Sequence, residues 1–163
     1  MRLPLITVLA LSILAACSSG ETQSAQAKAP SYDSAPRHAQ SGLPVIPLTV
    51  ASSNGKHAFR VELARTEQEQ AKGLMFRTAM GKDEGMIFPM VPPRTASFWM
   101  RNTVIPLDLI FVGQDHRILN IAANAVPYDE TPLFSSGVSI AVLELNGGRA
   151  AQLGIKAGDK VEW

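Results

Sequence analysis

A single cysteine, Cys17, limits the ways in which this chain can be stabilised. One thiol allows neither an intrachain disulfide nor a metal site built from several cysteines. The fold must therefore be held together by an apolar core, which needs a stretch of chain rich in hydrophobic residues. Residues 43–163 provide such a stretch, and their number suits one domain of ordinary size.

The segment that precedes Cys17 has the features of an export signal. One basic residue, Arg2, comes before an apolar run over residues 3–16, which is too short for a transmembrane span. The run ends in Leu14-Ala15-Ala16-Cys17, a pattern similar to the lipobox of bacterial lipoproteins. The resemblance implies a signal peptide over residues 1–16 and acylation of Cys17, which anchors the protein to a membrane. The alternative is an ordinary signal peptide with a chance cysteine.

Residues 17–42 are predicted to form a flexible tether between the lipid and a folded head. Residues 18–42 contain no Val, Ile, Leu, Met, Phe or Trp, and Tyr32 is their only aromatic residue. Such a segment buries too little surface to offset its ordering entropy. The predicted location is the cell envelope. Because Ser18 rather than an aspartate follows the cysteine, the resemblance implies the outer membrane, facing the periplasm, in a host with two membranes.

The charge balance bears on the partners of the mature chain. Loss of residues 1–16 removes Arg2 and no acidic residue, which leaves the formal charge near zero. There is no basic cluster of the kind that nucleic acid requires, so no nucleic-acid partner is predicted.

Residues 43–163 read as a single compact, mainly β domain, a sandwich or barrel with two short helices. Asn54-Gly55 predicts a hairpin turn, and Thr66 to Glu69 matches a helix capping box. Asp108 interrupts an apolar strand and is expected to be a buried polar insertion. Prolines at 89–93 predict a break, and residues 124–137 predict a loop. The predicted strands are 45–51, 59–63, 86–88, 95–100, 107–112, 117–122, 138–145 and 159–163, and the predicted helices are 66–72 and 149–153.

Several short motifs resemble one family. They occur in the right order over about residues 47–163: Gly73-Leu74-Met75-Phe76-Arg77, Asp83-Glu84-Gly85-Met86-Ile87-Phe88, Ser97-Phe98-Trp99-Met100-Arg101-Asn102-Thr103, Ile105-Pro106-Leu107-Asp108, Val142-Leu143-Glu144-Leu145, Leu153-Gly154-Ile155 and Gly158-Asp159. The chain thereby resembles the domain of unknown function 192 family of bacteria and archaea. That resemblance implies a small, mainly β fold and does not specify a reaction.

The first functional hypothesis is non-catalytic binding of a small polar ligand or a cell-envelope component. Cationic side chains would neutralise an anionic group, Asn102 and Asp108 would set hydrogen-bond polarity, and Trp99 would offer a stacking face. The alternative for these residues is a structural network, in which Asp108 accepts hydrogen bonds from turn amides and Arg101 pairs with Glu84. The predicted ligand-binding residues are Arg77, Glu84, Trp99, Arg101, Asn102 and Asp108.

An enzymatic alternative rests on three carboxylates, Glu84, Asp108 and Glu144. Two of them at a suitable separation, with Glu84 and Asp108 favoured, would allow glycan hydrolysis by an acid and a base or nucleophile. The sequence contains no nucleophile-elbow serine motif, no zinc-protease motif, no phosphate loop and no dinucleotide-binding fingerprint. No catalytic residue is assigned, and the chain is not predicted to be an enzyme.

Two further alternatives remain open. A cluster of methionines beside Trp99 is compatible with Cu(I) binding, although methionine is also ordinary core filler. The histidines show no metal-ligand spacing, so no metal or cofactor is assigned. A structural or assembly lipoprotein is the last alternative. The methionines in question are Met75, Met80, Met86, Met90 and Met100.

Overall fold

The structure is a computed structural model that describes residue 32 and residues 34–163. Within that part of the chain it contains seven strands and two short helices, which confirms the predicted fold class. Neither of these described helices is long and apolar enough to cross a membrane. The elements are β1 (Val45–Ser52), β2 (Gly55–Leu63), α1 (Glu67–Lys72), β3 (Glu84–Phe98), β4 (Leu107–Gly113), β5 (Ile118–Ala125), β6 (Leu133–Asn146), α2 (Arg149–Leu153) and β7 (Lys160–Glu162).

The seven described strands form one sheet in the order β5–β4–β6–β3–β2–β1–β7. Neighbours run antiparallel except β2 and β3, which run parallel and are connected through α1. The sheet curls so that its edges meet at one end, where Arg117, just before β5, forms an isolated bridge with Lys160 of β7. The result is a half-barrel, within the predicted barrel-like class.

Local turn and cap signals in the first half of the domain are confirmed. The predicted hairpin forms, with Ser53 and Asn54 in the turn and Gly55 as the first residue of β2. The Thr66 hydroxyl accepts a hydrogen bond from the Glu69 amide, and the Glu69 carboxylate accepts one from the Thr66 amide. The helix ends at Gly73, whose φ of 46° favours glycine.

The prediction for β3 is wrong in one respect. The strands predicted at 86–88 and 95–100 belong to a single strand in the structure. This strand stays paired with β6 on both sides of the prolines, and its register shifts between Pro89 and Arg94. The prolines form an irregularity within the strand, because a residue without an N–H is tolerated where ladder bonds are interrupted.

The loop predicted at 124–137 is shorter than expected, because β6 already begins at Leu133. The first residues of β6 pair with the end of β3. The Ser135 hydroxyl accepts from the Ala96 amide at 2.8 Å and donates to the Gly137 carbonyl at 2.7 Å. Backbone pairing of this kind does not need alternating apolar side chains, so the sequence pattern does not reveal it.

The sheet separates two apolar clusters, because successive residues of a strand point to opposite faces. Ile87 and Leu143 lie in one cluster, and Met86, Phe88 and Val142 lie in the other. The second cluster also contains residues from the turn after α1. The sheet face that carries Met86, Phe88 and Val142 is called the α1 face below.

The folded part begins before residue 43. Arg37 forms an isolated bridge with the segment that precedes β1, and the Ser41 hydroxyl donates to the Glu62 carboxylate. Residues 34–42, the end of the predicted tether, therefore contact the domain. Composition does not reveal this because many of the contacts are backbone and polar ones, although Ala35 also packs against the apolar core. The predicted signal peptide, Cys17 and the remainder of the tether (apart from Tyr32) lie outside the described residues.

Candidate functional site

A pocket of about 320 Å³ opens on the α1 face. That volume lies at the lower end of the range of small-molecule sites. Three pieces of chain form its walls: the end of α1 with the turn that follows, β3 from Phe88 onward, and the turn after β3. From β6 a single residue, Glu144, lines the pocket. Because β6 is a central strand of the sheet, Glu144 lies at the base of the pocket.

Gln70 ties the α1 wall to β3. Its side-chain amide donates to the Ala64 carbonyl at 3.1 Å and to the Pro89 carbonyl at 2.8 Å. A Cβ on Gly73 would lie 3.4 Å from the Phe88 ring, and the positive φ there already favours glycine. The end of α1 is therefore held closely against the aromatic side of the pocket.

The turn after β3 is held from two sides. The Phe76 amide donates to the Asn102 carbonyl at 2.8 Å, and the Tyr128 amide donates to the Met100 carbonyl at 3.1 Å. Phe76, Asn102 and Tyr128 all have positive φ, a conformation that is unfavourable for residues other than glycine. Such strain persists only where the surroundings impose it, and it clusters at functional sites.

Trp99 and Arg101 lie side by side at the rim of the pocket. The Arg101 guanidinium carbon is 5.5 Å from the centroid of the Trp99 ring, in a cation–π contact. Trp99 is 47% exposed. Among the described residues, Arg101 has one ion-pair partner, the exposed Glu130 at 3.8 Å, and a pair of this kind is weak. Both rim side chains are thus accessible to a ligand.

Glu144 is a largely buried residue whose carboxyl is not bonded to any described residue. It is 5% exposed, and its neighbours on the adjoining strands are Met86 and Leu109. No described residue donates a hydrogen bond to its carboxyl or forms an ion pair with it. Burial alone raises the pKa of Glu144 from 4.5 to about 8, so this side chain is a neutral acid at pH 7.

Gly85 allows β3 to approach β6 beside Glu144. A Cβ on Gly85 would lie 2.4 Å from the Glu144 carbonyl oxygen, closer than any real Cβ contact. The glycine of the motif Asp83-Glu84-Gly85 is therefore needed for the strand pairing that forms the base of the pocket.

The pocket lies within a region that a protein-family model recognises. The model for DUF192, described as "Uncharacterized ACR", matches residues 49–163, which is more than half of the chain. The chain belongs to the DUF192 family. The resemblance predicted from the short motifs is thereby confirmed, and the pocket residues from Gln70 to Glu144 all fall inside the matched region.

Two solved structures are similar to this DUF192 chain. A protein of unknown function from Novosphingobium aromaticivorans DSM 12444 is 64% identical, with a TM-score of 0.78, over 83% of this chain and 98% of that chain. A protein from Sinorhizobium meliloti 1021, described as a candidate transcription regulator, is 36% identical, with a TM-score of 0.71, over 74% of this chain and 94% of that chain. No curated protein matches the sequence.

In this DUF192 domain Asp108 is inaccessible to a ligand. It has no exposed surface. One carboxylate oxygen accepts from the amides of Asn124 and Gly148, each at 2.9 Å, and the other accepts from the Ala150 amide at 2.8 Å. The structural alternative for Asp108, acceptance of turn amides, is confirmed. Backbone donors already occupy the carboxylate, so Asp108 does not lie with Trp99 and Arg101 in the pocket.

Arg77 is engaged in a buried ion pair. Its Nη1 and Nη2 donate to Oε1 and Oε2 of Glu62 at 2.8 and 3.1 Å. Ser41 donates to the same carboxylate, and His38 Nδ1 lies 3.7 Å from it. Glu62 is buried because Arg77 and residues 34–42 cover it. Arg77 therefore joins separate segments of the domain and does not line the pocket that contains Trp99.

Glu84 also lies outside this pocket. Its carboxylate accepts from the Gly81 amide at 2.9 Å and from Arg60 Nη2 at 3.1 Å. The hydrogen bond from Gly81, supported by Arg60, holds the pKa of Glu84 below its ordinary value. The predicted pairing of Glu84 with Arg101 is wrong, since each has a different partner.

Three of the six predicted site residues lie together. Trp99 and Arg101 line the pocket, and Asn102 lies in the same turn, where its side-chain amide donates to the Met75 sulfur at 3.8 Å. Arg77, Glu84 and Asp108 are each engaged elsewhere.

Methionine spacing has a structural explanation. Met86, Met90 and Met100 are each at most 3% exposed and belong to the cluster on the α1 face. Their spacing follows from packing on one apolar surface, which is an ordinary role of methionine. Among residues that the structure describes, no three His, Cys, Asp or Glu side chains come together as a metal site.

Sequence reasoning named Glu144 only as a candidate hydrolytic carboxylate and did not place it in the binding site. The signal was present, because Glu144 interrupts the apolar positions of a central strand just as Asp108 does. Lys72 and Arg94 also line the pocket. Nothing in the sequence around them distinguishes them from ordinary surface cations.

Proposed function

We propose that this DUF192 protein binds a small polar ligand non-catalytically in the pocket on the α1 face. The observation that carries the proposal is Glu144, an unpartnered buried carboxyl at the base of the pocket. Buried polar groups normally have hydrogen-bond partners. Glu144 has none among the described residues, and its carboxyl is open to the pocket, where a bound ligand would be its partner.

The free-energy cost of ionising Glu144 in the folded protein supports the proposal. A pKa of about 8 means that ionising this carboxyl in the fold costs about 5 kcal/mol relative to water. A residue such as Met86 or Leu109, its neighbours, would carry no such penalty. Residues that weaken the fold are retained where function uses them, and strongly shifted carboxyls concentrate at functional sites.

The rim supplies the rest of a binding site. Trp99 offers an exposed aromatic face, and Arg101 stacks on it. Both are presented by a turn that hydrogen bonds hold from two sides, so the rim is organised before a ligand arrives. Preorganisation of this kind reduces the entropy lost on binding.

Glycan hydrolysis by paired carboxylates receives no support from the geometry. That chemistry needs two carboxyl groups that flank one bond. Among the described residues that line the pocket, Glu144 is the only carboxylate. Asp108 is enclosed by backbone amides and Glu84 pairs with Arg60, so neither faces Glu144 across an open cleft.

A thermal-shift screen of the purified full chain tests the proposal. The panel contains muropeptides, sugars, small carboxylates, amines and metal ions. A ligand that binds the folded state raises the melting temperature by mass action. We expect the shift to be lost in Trp99→Ala and Arg101→Ala and kept in Arg60→Ala, a matched surface change outside the pocket. A shift that survives both pocket variants, or no shift at all, contradicts the proposal; the latter favours an assembly role.

We further propose that the head is anchored in the cell envelope through lipid on Cys17, on the outer membrane where the host has two membranes. The lipobox-like sequence supports this location. Cys17 is the only thiol, so labelling of the expressed full chain with an alkyne fatty acid is specific to one site. Label should appear in the wild type and in Ser18→Ala and be absent from Cys17→Ser. Unlabelled wild-type protein that is released as a soluble, cleaved chain contradicts the anchor.

A further inference from the structure

The charged side chains around the pocket are all positive at pH 7. Three cations line it, Lys72 from α1, Arg94 from β3 and Arg101 from the turn after β3. Lys72 and Arg94 form no ion pair within the described part of the chain, and Arg101 has only its long contact with Glu130. The one carboxyl of the described lining, Glu144, is uncharged at pH 7. The pocket therefore presents positive charge and a neutral acid.

The lining of the pocket combines charged, polar and apolar side chains. Lys72, Arg94 and Arg101 are exposed, whereas Glu144 is buried. The cations therefore lie at the rim of the pocket and the carboxyl lies at its base. Leu74, Phe88 and Met90 line the pocket with them and are buried hydrophobic residues. An apolar middle suits a ligand that reaches from the rim cations to Glu144 past these side chains.

Resting on the proposed function, we infer that the pocket selects an elongated organic anion. Its charged end lies among the rim cations, its apolar middle lies against Leu74, Phe88 and Met90, and its far end accepts a hydrogen bond from the Glu144 carboxyl.

The protonated carboxyl decides the polarity at the base of the pocket. A neutral acid donates one hydrogen bond, whereas an ionised carboxylate only accepts. A carbonyl or amide oxygen is thus the matching group on the ligand. An ammonium group at the base would need the ionised form of Glu144 and would have to pass three cations at the rim.

The neighbouring strands place no titratable side chain opposite Glu144. Its own carboxyl is therefore the group that responds to pH. The facing residues on the neighbouring strands are Met86 on β3 and Leu109 on β4, neither of which titrates. The remaining charged groups of the lining are Lys72, Arg94 and Arg101 at the rim. Loss of the proton removes the donor and places negative charge in the pocket, and both changes oppose an anion.

Calorimetric titration of the purified full chain with matched probes tests the inference. The anionic probes are ω-acetamido carboxylates of increasing chain length, which carry a carboxylate at one end and an amide carbonyl at the other. Three controls change one feature each: the corresponding primary amides lack the charge, unbranched fatty acids of equal length lack the amide, and N-acetyl diamines reverse the charge. Each probe is measured at pH 6 and pH 9.

We expect one chain length to bind best, and its affinity to be about tenfold weaker at pH 9 than at pH 6, since about a tenth of Glu144 then keeps its proton. Glu144→Gln keeps a hydrogen-bond donor and cannot ionise, so its affinity should not change with pH. Arg101→Gln should weaken the anion and leave the primary amide unchanged, and Arg60→Gln should change neither.

Three results overturn the inference. They are equal affinity for anion and primary amide, a pH response that persists in Glu144→Gln, and an N-acetyl diamine that binds more tightly at pH 9. If the broader thermal-shift panel still yields a ligand whose binding needs Trp99 and Arg101, the pocket remains a binding site and only the ligand class is wrong. If that panel also yields nothing, the proposed function fails together with the inference.

Discussion

Asp108 and Glu144 are buried carboxyl groups on neighbouring strands with opposite surroundings. Asp108 has no exposed surface and accepts hydrogen bonds from three backbone amides. Glu144 is 5% exposed and lies between Met86 and Leu109 with no described partner. Because the side chains of adjacent positions alternate between faces, the two carboxyls point to opposite sides of the sheet.

The difference separates a buried acid that the fold satisfies from one that is open to a pocket. Asp108 joins the β4 strand to Asn124 and to the turn that leads into α2, so its carboxylate takes the place of missing backbone acceptors. Glu144 forms no hydrogen bond with the described residues, and its ionisation weakens the fold as the pH rises. A carboxyl that the protein satisfies internally is structural, whereas one left open at the base of a pocket is available to a ligand.

The largest expected effect belongs to Asp108→Ala, which leaves three backbone amides without their acceptor, that of Ala150 in a buried hydrogen bond and those of Asn124 and Gly148 in partly buried ones. We expect the free energy of unfolding to fall by about 4 kcal/mol, as measured by urea denaturation of the full chain. Asp115→Ala is the matched control, because Asp115 is exposed and accepts from one amide, that of Arg117. Its effect should stay below about 1 kcal/mol. Equal effects of the two substitutions would remove the structural role assigned to Asp108.

Glu144→Gln should act in the opposite direction and stabilise the protein at pH 7 by up to about 3 kcal/mol. The unfolded chain loses this proton near pH 4.5 and the folded chain keeps it to about pH 8. Between these values the folded state binds one more proton, so the wild type loses up to about 1.4 kcal/mol of stability for each pH unit of increase.

Denaturation at pH 4.5, 6 and 8 measures this slope. The wild type and Glu144→Gln should have similar stability at the lowest pH and diverge as the pH rises. Glu67→Gln, an exposed change in the first turn of α1, should keep the wild-type slope and differ by no more than about 0.5 kcal/mol. If the stability difference between the wild type and Glu144→Gln is the same at all three pH values, Glu144 ionises normally in the fold.

The smallest expected effect concerns Glu69, a carboxylate near the surface that is satisfied by local amides. It accepts from the Arg65 and Thr66 amides at 2.7 and 2.8 Å as part of the capping box. Glu69→Ala should lower the free energy of unfolding by about 1 kcal/mol, which thermal denaturation can detect. The neighbouring Gln68→Ala should have a smaller effect. A loss as large as that of Asp108→Ala would mean that burial does not separate the two carboxylates.

Local signals in the sequence account for much of the fold. The Asn54-Gly55 turn and the capping box at Thr66 were predictable because their hydrogen bonds form between residues close together in the chain. Strand alternation identified most of the strands for the same reason. The single strand through Pro89 was not predictable, since its continuity depends on pairing with β6, a distant segment.

The candidate site was predictable only in its rim. Trp99, Arg101 and Asn102 fall in one short motif, so any fold that contains the motif keeps them together. Arg77 was misjudged because its partner, Glu62, comes from another strand. Glu144 was undervalued because its distinction from Asp108 lies in the amides that each can reach, and those amides are remote in the sequence.

The sequence by itself determined the absence of an intrachain disulfide, the mainly β class, the turns and caps, the likeness to an uncharacterised family and the residues of the rim motif. These depend on composition or on interactions between near neighbours in the chain. Only the tertiary structure decided that Asp108 is enclosed, that Arg77 pairs with Glu62, and that Glu144 stands alone at the base of a pocket. The reason is that the charge state and availability of a carboxyl depend on every group packed around it, and that packing brings together strands far apart in the chain.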